Sequence, residues 1–162
     1  MKMFEPSAPL KQIHMALVGH SLTLKYMTKR FIGEYDSTLE ETYCKEENVE
    51  GQPMMLSLMD TVESEGRDTS RWLSWGDLFI VVYDVTCCAS FRHAEEMLER
   101  IKSHEHSLCT RHHSTLLLAN KSDLERYRVV SEAEGRALSS SYRTLFAETS
   151  AAGDARSLIQ GL

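Results

Sequence analysis

The chain has 162 residues, 42% of them hydrophobic, which suits one domain with a single core. Its formal net charge is −6 at pH 7, and no Lys/Arg block exceeds the short clusters Lys29-Arg30 and Arg126-Tyr127-Arg128. Nucleic-acid surfaces and polybasic membrane anchors both need concentrated positive charge, so this balance argues against both classes. Proteins are the favoured macromolecular partners.

Cysteine usage and hydropathy favour a reducing compartment. The four cysteines show no C-x-x-C spacing: Cys44, Cys87, Cys88 and Cys109. Nothing resembles a signal peptide, and the longest apolar run, Leu78 to Val82, is far below membrane-spanning length. The chain ends in Gln160-Gly161-Leu162 and has no C-a-a-X box. We therefore predict a cytoplasmic protein without a prenyl membrane anchor.

The first half of the chain predicts a tail, two strand regions and a helix. Residues 1–10 read as a flexible tail before a single domain over 11–162. His14 to Val18 is predicted as a buried strand and Leu22 to Phe31 as a helix. Two further strands, Thr42 to Val49 and Met54 to Met59, are joined by the turn-rich Glu50-Gly51-Gln52-Pro53, which indicates a hairpin.

The second half alternates in the same way. Trp72 and Trp75, three residues apart, indicate core packing of a helix face. Continuous β-branched and Leu content predicts two central parallel strands, Asp77 to Asp84 and Thr115 to Ala119. The predicted helices run from Ser90 to Ser103 and from Ser131 to Tyr142, the second opened by a capping box, and Leu145 to Glu148 is the last strand. Such alternation predicts an α/β fold.

The run Asn120-Lys121-Ser122-Asp123 follows an apolar strand and suits recognition of guanine. The carboxylate of Asp123 can accept two parallel hydrogen bonds from the N1 and N2 edge of guanine, which adenine does not offer. Asn120 would tie neighbouring loops together, and Lys121 would lay its methylene stem over the base. Four residues recur by chance, so this motif alone is more typical of an ordinary turn.

Three further segments accompany this motif in order. They are Phe31 to Tyr43, Met59-Asp60-Thr61 and Glu148-Thr149-Ser150-Ala151. With these segments and intervals, the chain resembles the Ras-like small GTPases over nearly its whole length. Thr-Lys-Arg-Phe-Ile-Gly-Glu-Tyr is similar to the branch around the Ras-related estrogen-regulated growth inhibitor and Ras-like family member twelve. The resemblance implies a P-loop NTPase-like small GTPase fold with a mixed, mostly parallel six-stranded sheet flanked by helices.

The resemblance also implies a site. It assigns nucleotide-binding roles to seven residues: Phe31, Thr38, Asn120, Lys121, Asp123, Ser150 and Ala151. Phe31 would pack beside the base, and Ser150 with Ala151 would steady it. Thr38 and Asp60 would serve Mg²⁺. The implied cofactors are GTP or GDP with Mg²⁺, and the implied protein partners are effectors or regulators at the switch surface, Phe31 to Tyr43.

The phosphate-binding loop departs from the family pattern. A P-loop reads G-x-x-x-x-G-K followed by Ser or Thr, whereas this chain runs from Gly19 through His20-Ser21-Leu22-Thr23-Leu24-Lys25. In the favoured alignment about six residues of the loop are missing, including the Gly-Lys pair. In the alternative, Lys25 keeps its spacing from Gly19 and the following helix is shorter. Under either alignment the triphosphate loses most of its cradle.

The second switch and the closing helix also depart from the pattern. Glu63 replaces the Gly that would meet the γ-phosphate, and Ser64 stands where the Gln that orients water is expected. We therefore assign no catalytic residue and expect GTP hydrolysis to be impaired. Only Asp154 to Leu162 follows the last strand, so the final helix is predicted to be truncated and the domain incomplete at that end.

Three functional hypotheses follow. The first is a guanine-nucleotide switch, and the second is a pseudo-GTPase that binds proteins without turning over nucleotide. The third is an incomplete splice product without activity of its own. The guanine motifs favour the first hypothesis, whereas the missing Gly-Lys pair motivates the other two.

Overall fold

A computed structural model describes residues 10–19, 42–60, 70–108 and 113–150. The strands in these ranges are β1 Lys11–Gly19, β2 Thr42–Val49, β3 Gln52–Asp60, β4 Leu78–Asp84, β5 Ser114–Asn120 and β6 Leu145–Glu148. The helices are α1 Ser70–Trp75, α2 Cys88–Leu108 and α3 Glu132–Tyr142, and Glu125–Tyr127 forms a 3₁₀ turn. The predicted helix Leu22 to Phe31 and the segment Asp154 to Leu162 lie outside the described residues.

The described strands form one six-stranded sheet in the order β2-β3-β1-β4-β5-β6. β1 pairs in parallel with β3 and β4, and β5 pairs in parallel with β4 and β6. Only β2 runs antiparallel, against β3. This topology confirms the mixed, mostly parallel sheet that the resemblance implied.

The two central strands are apolar and buried on both of their faces. β4 is buried at every position, and β5 is buried at every position except Ser114. In such strands successive side chains point to opposite faces of the sheet, and both sets are apolar. The run Leu-Phe-Ile-Val-Val-Tyr therefore carries hydrophobic residues toward both faces. These two strands therefore hold the centre of the core.

The long helix α2 packs on one face of this sheet. Its fully buried side chains follow the spacing of one helix face: Ala94, Met97, Leu98 and Ile101. They join a core cluster with Phe79, Val81 and Tyr83 of β4. Trp72 of α1 belongs to the same cluster and meets the Phe79 ring edge-on at 5.7 Å, and Trp75 packs against the cluster. The predicted core role of both tryptophans is confirmed.

The β2–β3 connection is tighter than the four-residue turn that the sequence predicts. Glu50 and Gly51 have φ of 51° and 83°, as a two-residue primed turn requires. Gln52 and Pro53 already belong to β3 and pair with Val49 and Asn48. Pro53 is tolerated because the β1 ladder on its other side starts one residue later, at Met54.

Several elements extend beyond their predicted bounds. β1 begins at Lys11 because its ladder with β3 continues past the apolar run into the polar residues Lys11 and Gln12. α2 covers Cys88–Leu108 and exceeds the predicted Ser90 to Ser103, since neither Gly nor Pro interrupts that stretch. β5 gains Asn120, which pairs with Asp84. Periodicity located these elements but not their ends.

The start of α3 confirms its predicted capping box. The backbone N–H of Glu134 donates to the Ser131 hydroxyl at 3.2 Å, and the Ser131 N–H donates to the Glu134 carboxylate at 2.7 Å. Hydrogen bonds from the Ser131 backbone and side chain hold the pKa of Glu134 below its usual value. The helix ends at Tyr142 and is followed by the C-cap residue Arg143, whose φ of 54° is left-handed. Paired caps thus fix both ends of α3.

Gly135 brings α3 into close contact with the sheet. A Cβ at this position would lie 2.3 Å from the Tyr83 hydroxyl and 2.7 Å from the Phe146 ring. Tyr83 is fully buried, and its hydroxyl has no hydrogen-bond partner among the described residues. Burial, followed by repulsion from Glu148, raises the pKa of Tyr83 to about 12. The helix therefore needs a glycine at this position to pack this closely against the sheet.

We predict that Gly135→Ala destabilises the protein although alanine is the better helix former. Overpacking costs about 1–3 kcal/mol, which outweighs the roughly 1 kcal/mol gained in helix propensity. Removing the crowding hydroxyl with Tyr83→Phe should reduce the cost of Gly135→Ala. Urea unfolding of the two single variants and the double variant measures this coupling.

The exposed Ala137 provides the matched control on the same helix. Ala137→Gly should cost about 1 kcal/mol, which is the propensity term alone. If Gly135→Ala instead raised the free energy of unfolding by about that amount, the result would contradict a close contact between α3 and Tyr83.

Candidate functional site

The candidate site lies at the edge of the sheet where the parallel strands end. Asp84, Asn120 and Glu148 are the last residues of β4, β5 and β6. Gly19 and Asp60 end β1 and β3 at the same edge, where Gly19 pairs with Val82 and Leu17 pairs with Asp60. The chain leaves β1 toward β2 and β3 but leaves β4 toward β5, so the strand order reverses here. Ligands of open α/β sheets bind at such reversals.

The predicted base-reading loop begins at the end of β5. Asn120 is buried, and its carbonyl accepts a hydrogen bond from Val85 N at 3.1 Å. Lys121 has a φ of 61°, and its carbonyl accepts from Leu124 N at 3.0 Å, which closes a turn around residues 121–124. A lysine in left-handed conformation is uncommon and needs its surroundings to hold it. The loop is therefore specifically shaped.

Asp123 lies at the tip of this turn and is exposed. Among the described residues, no hydrogen bond or ion pair engages its carboxylate. An exposed carboxylate with both oxygens available can accept two donors arranged in parallel, and this is the chemistry that the guanine edge requires.

The segment after β6 is bonded to the base-reading loop. Thr149 N donates to Ala119 O at 2.8 Å, and Ser122 N donates to Thr149 O at 3.1 Å. Ser150, half-buried, follows directly. The two segments that the resemblance assigned to guanine, 30 residues apart in sequence, are thus joined through backbone hydrogen bonds.

An arginine that the sequence analysis did not single out braces the second of these segments. Both terminal nitrogens of Arg128 donate to the Glu148 carboxylate, at 2.9 and 3.2 Å, while Arg128 Nε donates to Glu125 at 2.9 Å. These hydrogen bonds, Glu148 first, raise the pKa of Arg128 above its ordinary value. Both side chains of the Arg128–Glu148 pair are largely buried, at 13% and 22% exposure. The pair fixes the strand end immediately before Thr149.

Asp84 is a second residue that the sequence analysis missed as part of the site. Its Oδ2 accepts from the Lys121 ammonium, and its Oδ1 accepts from Thr86 N at 2.8 Å and Thr86 Oγ1 at 2.6 Å. Burial works to raise the pKa of Asp84, but the bonds from Lys121 and Thr86 outweigh it and hold the pKa below its usual value. The ionised carboxylate therefore stabilises the fold above about pH 4, and this stabilisation is lost as the pH falls through the lowered pKa.

Neither Asp84 nor Arg128 carries a local sequence signal. Arg128 pairs with Glu148, which lies 20 residues away in sequence, and Asp84 pairs with Lys121, which lies 37 residues away. Asp84 and Lys121 meet only because the strand register places Asp84 opposite Asn120. A prediction of parallel pairing between β4 and β5, extended to the strand ends, is the one signal that could have identified Asp84.

The remaining predicted residues are only partly described. Phe31, Thr38 and Ala151 lie outside the described residues, as do Glu63 and Ser64. For Asp60 the structure gives the backbone at the end of β3 and nothing of the side chain. The described ranges contain no group of three or more His, Cys, Asp or Glu arranged to hold a metal ion. They also contain no helix with the length and apolarity needed to cross a membrane.

Comparison with known proteins identifies the family. The model of the Ras family matches residues 14–157. The chain is 42% identical over 155 residues to Ras-like protein family member 12 of Mus musculus, covering 91% of this chain and 58% of that protein. It is 36% identical over 137 residues to the Ras-related and estrogen-regulated growth inhibitor-like protein of Bos taurus, covering 82% of this chain and 67% of that protein.

A third relative agrees with these two. Ras-like protein rasS of Dictyostelium discoideum is 35% identical over 140 residues, covering 83% of this chain and 69% of that protein. The chain spans about three fifths of the length of the member 12 relatives (58%). The predicted resemblance to the branch around these two proteins is confirmed, and the chain belongs to the Ras family of small GTPases.

Proposed function

We propose that this chain binds guanine nucleotide, GTP or GDP, at the carboxyl edge of the sheet and acts as a signalling switch. The observation that carries the proposal is the backbone-bonded pair of loops 120–124 and 148–150, one of which carries the exposed Asp123 and the other the half-buried Ser150. Membership of the Ras family supports the same function.

In this proposal the base is read by a few groups with separate tasks. The Asp123 carboxylate accepts from guanine N1–H and N2–H, and Ser150 with Ala151 steadies the base from the second loop. The buried Asn120 holds the loop against β4 through its bond with Val85. Lys121 offers its methylene stem to one face of the base, and Phe31 packs beside it by resemblance.

The phosphate end is proposed to be weaker than the base end. Thr38 and Asp60 serve Mg²⁺, which would neutralise charge on the phosphates when bound. The topology supports the placement of Asp60, because β3 ends at the same edge as β4 and β5. The missing Gly-Lys pair removes backbone donors and a cation from the phosphates, so affinity rests more on the base than is usual for this family.

The proposed switch acts through proteins in the cytoplasm. Nucleotide and Mg²⁺ would order the segment Phe31 to Tyr43, whose ordered form recruits effectors or regulators. This segment enters the sheet through β2, which forms one of its edges. The described cysteines, Cys44, Cys87 and Cys88, are free thiols, as is usual in a reducing compartment.

We predict that Asp123→Asn changes the preferred base from guanine to xanthine. The asparagine amide keeps one acceptor and gains one donor, which matches the N1–H and C2 oxygen of xanthine and opposes the guanine N2 group. Affinity for GDP should fall by roughly 10- to 100-fold. Titration with fluorescent GDP in competition with GDP and xanthosine diphosphate measures both affinities.

Glu99→Gln provides the matched control for this exchange, since it neutralises an exposed carboxylate on α2 away from the strand ends. It should leave both affinities unchanged. Equal GDP affinity in the Asp123→Asn variant and the natural chain would exclude Asp123 as the base reader.

We predict that the chain hydrolyses GTP no faster than about 10⁻⁴ s⁻¹, the rate of an intact Ras-type site without assistance. Glu63 and Ser64 replace the residues that would contact the γ-phosphate and orient water. A single-turnover assay that separates GTP from GDP by chromatography measures this rate. Turnover well above that value would show that other residues supply the missing catalytic contacts.

We predict that Arg128→Lys destabilises the protein by roughly 2 kcal/mol and weakens GDP binding severalfold. Lysine keeps the positive charge but cannot donate two parallel bonds to Glu148, so the strand end before Thr149 loosens. Urea unfolding and GDP titration measure the two effects. Arg136→Lys is the control, because Arg136 pairs with Glu132 on the exposed surface of α3 and a lysine keeps the positive charge that contacts the Phe146 ring.

The control variant should change the free energy of unfolding by less than about 1 kcal/mol, as exposed ion pairs contribute little. Equal losses for the two arginine variants would contradict a special role for the Arg128 brace.

A further inference from the structure

The Lys121 ammonium is bound back to the end of the neighbouring strand. It donates to Asp84 Oδ2, and its side chain is 40% exposed whereas that of Asp84 is 12% exposed. The pair joins the first residue after β5 to the last residue of β4, whose partner in the ladder is Asn120. The Lys121 side chain therefore crosses the gap between the two strand ends.

The carboxylate that receives this ammonium is itself fixed. Asp84 Oδ1 accepts from both the N–H and the hydroxyl of Thr86, at 2.8 and 2.6 Å. The Asp84 N–H donates to Ser90 Oγ at 2.9 Å, and the Asp84 carbonyl accepts from Cys87 N at 3.0 Å. Backbone and side chain are thus held from three neighbours, so Asp84 is a rigid anchor.

Holding the lysine in place matters because a free lysine side chain loses conformational entropy when a ligand orders it. Lysine has four rotatable bonds and one of the largest rotamer entropies, which a bound base would have to restrict. An ammonium already held at Asp84 removes much of that cost before the ligand arrives. The pairing also neutralises the charge locally and leaves the apolar stem as the surface that a purine can contact.

We propose that Asp84 is a positioning residue of the base pocket: by holding the Lys121 ammonium, it fixes the Lys121 stem as one wall against the guanine ring. The inference rests on the proposed guanine-nucleotide binding. Asp84 acts only through Lys121 and does not itself contact the nucleotide. Its effect on affinity therefore depends on the presence of the lysine.

A double-mutant cycle with fluorescently labelled GDP tests this dependence. Asp84→Ala should weaken binding about tenfold, the value of one hydrogen bond between charged groups. Asp84→Asn retains an acceptor for the ammonium and should recover most of the affinity. In the Lys121→Ala background, Asp84→Ala should cause no further loss. A merely structural role would give the same loss with and without the lysine.

Thermal melts accompany each titration so that folding is assessed separately. If Asp84→Ala does not fold, the cycle uses Asp84→Asn, whose smaller loss, about threefold, should likewise vanish in the Lys121→Ala background. Glu105→Ala is the matched control, because it breaks a comparable lysine pair, Lys102–Glu105 at 3.1 Å, within α2. It should leave GDP affinity unchanged.

The outcomes separate this inference from the function on which it rests. Loss that requires Lys121 supports the positioning role. GDP binding by the natural chain with unchanged affinity in Asp84→Ala, or with equal losses in both backgrounds, overturns that role and leaves guanine binding intact. Failure of the natural, folded chain to bind GDP overturns the proposed function and the positioning role with it.

Discussion

Parallel pairing of β4, β5 and β6 is the constraint on which the rest of the site depends. Because parallel strands end at the same edge, the register that sets Asp84 opposite Asn120 and Ala119 opposite Glu148 also brings their loops together. Specific packing favours this register, since a slip by one residue would turn Tyr83 away from Gly135 and Phe91, which it contacts on the helix-covered face. The position of the chemistry is therefore a consequence of core packing.

The described carboxylates at this edge differ in whether they are paired with a cation. Two of its carboxylates are committed to cations, Asp84 to Lys121 and Glu148 to Arg128. The exposed Asp123 has no such partner among the described residues. Burial makes each committed pair costly to break, because the remaining charge would be left without compensation. Among the described side chains at this edge, the carboxylates of Asp84 and Glu148 thus shape the loops, whereas that of Asp123 is exposed.

Local sequence signals predicted the fold well where they are strongest. The apolar run of β4, the Ser131 capping box of α3 and the Trp72 core position all reflect short-range chemistry, and each was confirmed. Element ends were less predictable. The ladder of β1 continues into polar residues, and α2 lacks a breaker, so neither end is marked by composition.

The candidate site was predictable only in part, because local sequence signals do not report partners that lie far along the chain. Asn120-Lys121-Ser122-Asp123 is contiguous and carries its own chemical pattern. Asp84 and Arg128 obtain their roles from partners that lie far along the chain and meet only when the sheet forms. Gly135 likewise has no signal in α3 itself, because its necessity comes from the Tyr83 hydroxyl on another element. Long-range register decides these positions.

We propose that the base site persists although no Gly-Lys pair follows Gly19 in the sequence. Denaturing the freshly purified protein and assaying the supernatant for guanine nucleotide by chromatography tests this claim most directly. The account predicts GDP or GTP in near-stoichiometric amount, released from a protein that had been folded. A protein that melts cooperatively and carries no nucleotide, and that stays empty when GDP and Mg²⁺ are added, would contradict it and favour a module that binds proteins alone.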